Sequence, residues 1–178
     1  SFLTDRFHSS GGLFALEVGP GSGCVITFLA QLFDRIALPK TSFFAAEINP
    51  IAAQCAAQTF AQTKQHLEVI QCDLLSAMKP FALFDVIVFN PPYVVTDPKE
   101  LHQARHSTAL HSTSLADEKE KKEKKQLLHL SWAGGKDGRQ VTDQFLKQVA
   151  TYLTEKGVIY LLLVQENKPD EIMTMMKQ

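Results

Sequence analysis

The chain alternates between two apolar textures, and that alternation restricts its fold more than any other property. Short continuous apolar runs cover Leu13 to Val18, Ser42 to Ile48, Leu67 to Gln71, Phe84 to Phe89 and Gly157 to Val164. Between them lie stretches of helical period. Val25, Phe28, Leu29 and Leu32 share a face between Gly23 and Phe33, and Pro50 opens a second helix carrying Ala52, Ala53, Ala56 and Phe60. A third stretch, Gly138 to Leu153, aligns Val141, Phe145, Leu146, Val149 and Leu153, and a fourth runs from Pro169 to Met176. Continuous apolar runs suit strands buried on both faces, and the periodic stretches suit helices that bury them. The expectation is an α/β fold with a doubly wound, mostly parallel sheet, in one domain over residues 1–178.

Composition narrows the class. With 178 residues, 45% of them hydrophobic and 21% charged, the chain reads as one soluble globular domain with its own core. Eighteen Lys and Arg against 19 Asp and Glu give a net charge of -1, which argues against binding nucleic acid through an overall basic field. Cys24, Cys55 and Cys72 are odd in number and lack C-x-x-C spacing, so neither a disulfide framework nor a cysteine metal site is indicated. A cytoplasmic setting, with the nucleus as a second compartment, follows from that cysteine usage and from the lack of any membrane span or signal peptide. The missing initiator Met suggests a fragment or trimmed chain.

One segment breaks the rhythm. Between Asp97 and Leu130 the chain turns polar and culminates in Asp117-Glu-Lys-Glu-Lys-Lys-Glu-Lys-Lys125, read as a solvated insert, helix or loop, rather than a nucleic-acid arm. It follows the Asn90 motif directly, so it could overhang a substrate cleft. His102, His106 and His111 have no acid or cysteine to complete a ligand set, and no metal is expected.

Chemistry gathers at the strand ends. The first run leads into Glu17-Val-Gly-Pro-Gly-Ser-Gly23 and a helix, an arrangement that lets backbone approach a ligand at the carboxyl edge of a sheet. Glu47 ends the second run, where its carboxylate can accept two ribose hydroxyls, and Asp73 follows the third, where it can meet an adenine amino group. Each acid could instead cap a turn or helix. A glycine turn and two acids on one edge favour a ligand site. The fourth run ends in Asn90-Pro-Pro-Tyr93. Two prolines fix the backbone and leave the carbonyls of Asn90 and Pro91 free, so an amide, carbonyl acceptors and the Tyr93 ring can receive a planar NH2 group.

These residues resemble the class I S-adenosylmethionine-dependent methyltransferases that methylate amino groups, whose fold is Rossmann-like. Asn90-Pro-Pro-Tyr-Val-Val-Thr96, Trp132-Ala-Gly-Gly-Lys-Asp-Gly-Arg139 with Val141, Asp143 and Phe145, and Glu166-Asn167-Lys168-Pro169 narrow the resemblance to the eukaryotic HemK-like glutamine methyltransferases of translation termination. It covers roughly Phe2 to Lys177 apart from the charged insert. It implies S-adenosylmethionine as cofactor, Gly19, Gly21 and Gly23 around its methionine end beside Glu17, Glu47 on the ribose, and Asp73 with Leu74 on the adenine. Asn90, Pro91 and Tyr93 then hold the substrate amide, with Asn90 also facing the cofactor. Relative to that family the chain lacks an N-terminal segment and a C-terminal strand pair, which would leave one side of the fifth strand exposed.

A carboxamide nitrogen is a poor nucleophile because its lone pair is delocalised. Acceptors that hold both N–H hydrogens oppose that delocalisation, and positioning of this kind supplies roughly 7 to 11 kcal/mol. Rivals are an adenine N6 methyltransferase on DNA or RNA, a lysine methyltransferase, a nicotinamide-binding dehydrogenase domain and a cofactor-binding scaffold. The first lacks a basic face here, and the dehydrogenase leaves Asn90 to Tyr93 unexplained. The resemblance implies a strand order in which the third strand, Leu67-Glu-Val-Ile-Gln71, lies at a sheet edge, with neither Pro nor Lys to blunt it, inviting strand addition. The resemblance implies a release factor as protein substrate and a small zinc-binding activator subunit as partner in a heterodimer. Poor solubility without that activator is expected.

Overall fold

The computed structural model describes residues 2–7, 11–99, 102 and 125–177. Contacts divide the chain into two compact units, Ser1–Asn90 with Phe145–Leu161, and Pro91–Gln144 with Leu162–Gln178.

The first unit is built on a five-stranded sheet, all of it parallel. Its strands are β1 (Leu13–Val18), β2 (Thr41–Glu47), β3 (Leu67–Gln71), β4 (Phe84–Phe89) and β7 (Leu153–Leu161). Their spatial order is β3-β2-β1-β4-β7. The chain steps outward from β1 to β3, then returns to β1's other side with β4. A reversal of this kind opens a crevice at the carboxyl ends of the two central strands. The ends are level there: Val18 lies opposite both Ala46 and Phe89, Glu47 opposite Gln71, and Phe89 opposite Leu161. This is the doubly wound fold expected, with β3 at the edge anticipated for it.

Helices α2 (Cys24–Arg35) and α3 (Pro50–Phe60) form as their sequences dictate. Ile26, Leu29, Ala30 and Phe33 of α2 are buried against Leu13, Ala15 and Val86. Phe43 of β2 sits between Phe33 of α2 and Phe60 of α3, its ring centroid 5.9 and 5.4 Å from theirs. Such tilted pairs add about 0.5–1.5 kcal/mol each beyond burial. Pro50 holds the first position of α3, and the Asn49 side chain accepts from the Ile51 amide at 3.0 Å as its cap. A short α1 (Phe2–Phe7), which no periodicity announced, places Leu3 and Phe7 in the same core.

The boundaries around β7 differ from expectation. The predicted helix from Gly138 to Leu153 is a 3-10 turn (Lys136–Gly138), then α4 (Gln140–Val149), then a second 3-10 turn (Ala150–Tyr152), with Leu153 already in β7. The Tyr152 hydroxyl donates to the carbonyls of Met78 (3.1 Å) and Leu75 (3.4 Å), stopping the helix there. Phe84 pairs with Leu153 but Val86 pairs with Val158, so β7 bulges between them. At the other end β7 stops at Leu161 because its partner β4 stops at Phe89, and Leu162 to Val164 lie outside the strand despite their apolar character.

The second unit holds a feature the sequence reading missed: β5 (Val94–Val95) and β6 (Ala133–Gly135) pair in parallel. A further helix, α5 (Pro169–Met175), begins at a proline as expected. The buried Arg139 guanidinium joins two elements, its Nε 3.0 Å from Asp143 Oδ1 and its Nη1 3.0 Å from Glu171 Oε2. His106, His111 and the run Asp117 to Lys124 lie outside the described residues.

Candidate cofactor cradle and acceptor loop

Helix α2 starts without a side-chain cap of its own, since Gly23 stands at its cap position and no acid lies in its first turn. The cap comes from β1. Glu17, 2% exposed, accepts a hydrogen bond from the Ile26 amide at 2.8 Å through Oε2. One of the helix's free N–H groups is thereby satisfied by an acid from the neighbouring strand. Burial pushes the Glu17 carboxyl up to about 7, against the lowering effect of that amide, with the nearby Glu47 charge pushing the same way.

Between Glu17 and the helix, Gly19, Gly21 and Gly23 all take positive φ. Two of them serve different purposes. A Cβ on Gly23 would stand 2.6 Å from Ala56 Cα and 2.9 Å from the Ala56 carbonyl, so this glycine is what allows α2 and α3 to touch. A Cβ on Gly21 would meet nothing within 4 Å, so this turn borders open space at the carboxyl edge of the sheet. That space, ringed by a left-handed glycine turn, is what a ligand approaching backbone requires.

Glu47 ends β2 beside this turn and is 7% exposed. Its Oε2 accepts from the Gly21 amide at 3.1 Å and its Oε1 from the Asn49 amide at 2.9 Å, so one carboxylate ties the glycine turn to the start of α3. Past β3, Asp73 is half-buried and its carbonyl accepts from Ser76. Leu74 has φ 52 and a buried side chain, so what it presents at the edge is strained backbone. The Cys72 thiol, pushed up by burial, donates to the Leu74 carbonyl at 3.2 Å. The structure thus joins Gly21 to Glu47 directly, ties Gly19 to Ala46 of β2 and Glu17 to Ile26 of α2, and places Asp73 and Leu74 after the adjacent strand β3. Glu17 lies beneath the turn as its support.

Asn90 follows the last residue of β4 and is exposed. The chain continues into buried Pro91, half-buried Pro92 and exposed Tyr93, which belong to the second unit. There the two motifs singled out in the sequence meet. The Val94 amide donates to the Trp132 carbonyl at 3.0 Å, and the Thr96 amide to the Gly135 carbonyl at 3.1 Å. The Thr96 hydroxyl accepts from the Gly135 amide at 2.9 Å. Gly134 is required because a Cβ would stand 2.6 Å from the Pro92 carbonyl. Asn167, which lay in a quoted motif but was not read as a site residue, is fully buried beside Tyr93. In the sequence, Pro169 marks only the start of the helical stretch that follows, and nothing local announces a buried amide. Among the described residues no group of three or more His, Cys, Asp or Glu could hold a metal, and no helix is long and apolar enough to cross a membrane.

Comparisons with known proteins bear on the family and the fold. The family model for the methyltransferase small domain matches residues 1–114. Human methyltransferase HEMK2 is 35% identical over 170 residues, covering 94% of this chain and 67% of that protein. The eRF1 methyltransferase catalytic subunit mtq2 of Schizosaccharomyces pombe is 26% identical over 163 residues, covering 88% of this chain and 61% of that protein. The chain therefore spans about two thirds of the length of these relatives. Among solved structures, ribosomal protein L11 methylase from Lactobacillus delbrueckii subsp. bulgaricus superposes over 99% of this chain and 65% of its own, with TM-score 0.56 at 14% identity, a likeness of fold. A glycine turn and Glu47 at the reversal point of a parallel sheet, an Asn-Pro-Pro-Tyr segment after β4 and these similarities lead to one assignment: the chain belongs to the methyltransferase small domain family, and within it to the HemK-like methyltransferases.

Proposed function

We propose that this chain is an S-adenosylmethionine-dependent methyltransferase acting on the side-chain amide nitrogen of a glutamine in a protein, a translation release factor. The observation that carries the reading is the level row of strand ends, where the glycine turn and Glu47 share one edge and β4 delivers Asn90. The similarity to HEMK2 and to the eRF1 methyltransferase subunit supports the substrate class. A termination factor works at the ribosome, which puts the reaction in the cytoplasm.

The residues divide the work. S-adenosylmethionine, when bound, supplies an electrophilic methyl group. Gly19, Gly21 and Gly23 give its amino-acid end side-chain-free backbone, Glu47 takes the ribose hydroxyls, and Asp73 with the Leu74 backbone takes the adenine. Each Glu47 carboxylate oxygen has two acceptor positions, so it can take a hydroxyl while it keeps the Gly21 or Asn49 amide. The Asn90 side-chain oxygen and the Pro91 carbonyl accept the two amide hydrogens of the glutamine, while the Tyr93 ring covers its flat face. The nitrogen lone pair is then freed from the carbonyl as the new bond forms, and its proton leaves to solvent afterwards.

A small zinc-binding subunit is the partner proposed for the β3 edge. Cys72 donates to the Glu47 carbonyl, so by the alternation of strand backbone Glu68 and Ile70 also face β2, while Val69 and Gln71 turn their N–H and C=O groups outward. Those outward groups are what an added strand would pair with.

The test is direct: incubate the chain, alone and with that subunit, with labelled S-adenosylmethionine and either a release-factor domain or adenine-rich RNA. Label on the release factor that is lost when its glutamine is changed to alanine supports the reading. Label on the RNA alone overturns it.

A further inference from the structure

An amide side chain with no exposure must find partners for one acceptor and two donor hydrogens, and Asn167 finds four. Its Oδ1 accepts from the Val164 amide at 3.0 Å. Its Nδ2 lies 3.1 Å from each of three carbonyls, those of Tyr93, Asp137 and Gly138. Two hydrogens shared among three acceptors make the nitrogen a hub between separate segments: the end of the Asn-Pro-Pro-Tyr run, the turn after β6, and the turn before α5.

The space for that hub is made by a missing side chain. Gly138 has φ 63, and a Cβ there would stand 2.1 Å from the Tyr93 carbonyl and 2.6 Å from Asn167 Nδ2. Asp137 beside it takes φ 54, a conformation costly for a residue with a side chain. Asn167 also precedes Lys168, with φ 53, whose ammonium reaches Asp137 Oδ2 at 3.2 Å. Positive φ at three positions, Asp137, Gly138 and Lys168, accompanies a single buried amide: two of them offer it their carbonyls and the third follows it in the chain. Covering surface alone would not call for such an arrangement. The Tyr93 carbonyl is also the only point at which Asn167 meets the segment that follows β4, among the hydrogen bonds of the described residues.

We propose that Asn167 is a positioning residue for methyl transfer: by holding the Tyr93 carbonyl it fixes how Pro91, Pro92 and Tyr93 are presented to the methyl-accepting group. This rests on the reading of Asn90 to Tyr93 as the acceptor site. No other group in the hub can do this work, because a donor of two hydrogens with one acceptor is what three carbonyls and one amide need. A carboxylate of the same shape would place negative charge against three carbonyl oxygens.

The experiment compares the full chain with Asn167→Asp and Asn167→Ala, each present with the zinc-binding subunit. Cofactor affinity is measured by calorimetry, and kcat and KM are expressed per cofactor-binding molecule. Expected is a fall in kcat of about tenfold to a hundredfold, the effect of a displaced reacting group, with cofactor affinity within about twofold of wild type. Wild-type kcat in Asn167→Asp overturns the proposal, and so does loss of cofactor binding in step with activity, which would make Asn167 a support of the whole fold. Hydrogen exchange supplies a second readout that needs no substrate. Residues 91–99 should exchange faster in both variants while 13–18 and 41–47 stay protected, and unchanged exchange over 91–99 overturns the proposal. A wild-type chain inactive on glutamine would count against the proposed substrate, and the exchange result would still decide the role of Asn167.

Discussion

Gly21 and Glu47, 26 positions apart, are joined by a hydrogen bond of 3.1 Å from the glycine amide to the carboxylate. The contact makes the turn and the acid one unit: the residue proposed to hold the ribose already grips the loop proposed to hold the methionine end. Glu47→Ala should therefore weaken S-adenosylmethionine binding by more than a lone hydroxyl contact would, by roughly 1 to 3 kcal/mol, and Asp73→Ala should act in the same direction. Calorimetric titration checks both. Unchanged affinity in both variants would move the cofactor elsewhere.

Glu17 gives a pH signature. Its folded carboxyl titrates near 7 against an ordinary value of 4.5, so between those pH values the folded chain holds a proton that the unfolded chain releases. Stability is fullest below 4.5 and falls as pH rises through about 7, by up to about 3 kcal/mol from this one group. Glu17→Gln keeps an acceptor for the Ile26 amide and removes the slope. Melting temperatures from pH 5 to 8 should fall with pH in the wild type relative to the variant, and parallel curves would refute the assignment.

Asn90→Ala should leave cofactor affinity intact and abolish transfer, because Asn90 is exposed at the end of β4 while the glycine turn and Glu47 come from β1 and β2. A variant that also loses the cofactor would place Asn90 in the cofactor pocket instead.

Gly23→Ala and Gly21→Ala separate packing from conformation. Both glycines have positive φ, but only at Gly23 would the new methyl strike backbone, that of Ala56. The Gly21 variant should lose about 1 kcal/mol and the Gly23 variant about 2 kcal/mol more. Urea midpoints read the difference, and equal losses would mean that α2 and α3 move apart freely.

Val69→Pro tests the edge. The Val69 N–H faces away from β2, so proline there should spare the sheet and block strand addition. Co-purification with the zinc-binding subunit should be lost at an unchanged melting temperature, whereas retained binding would place the interface off this edge.

The five main strands and the start of α3 were legible because each is written in a local pattern, an apolar run or a proline at the first helical position, while the edge position of β3 came from the family resemblance. The β5–β6 pair was not, since two or three residues carry no period, and Val94 meets Ala133 only through the fold. Leu153 continues the helical stripe of α4 yet starts β7, because Tyr152 is anchored to Leu75 and Met78 by contacts distant in sequence. Among the candidate site residues, Glu47 and the glycines stood out by position at the strand ends, but the carboxylate's grip on Gly21 did not. The burial of Glu17 and the hub at Asn167 depend on neighbours that no spacing announces.

The backbone clamp between Val94–Thr96 and Trp132–Gly135 also decides what the chain can tolerate in between. Once those two strands are tied, residues 97–131 are the span of a closed ring, and ring-closure entropy grows only with the logarithm of length. Doubling that span costs about 0.6 kcal/mol, less than one good hydrogen bond of the clamp. Length there is close to a neutral variable: material can be added or shed between the two motifs while the pairing of β5 with β6 stays as it is.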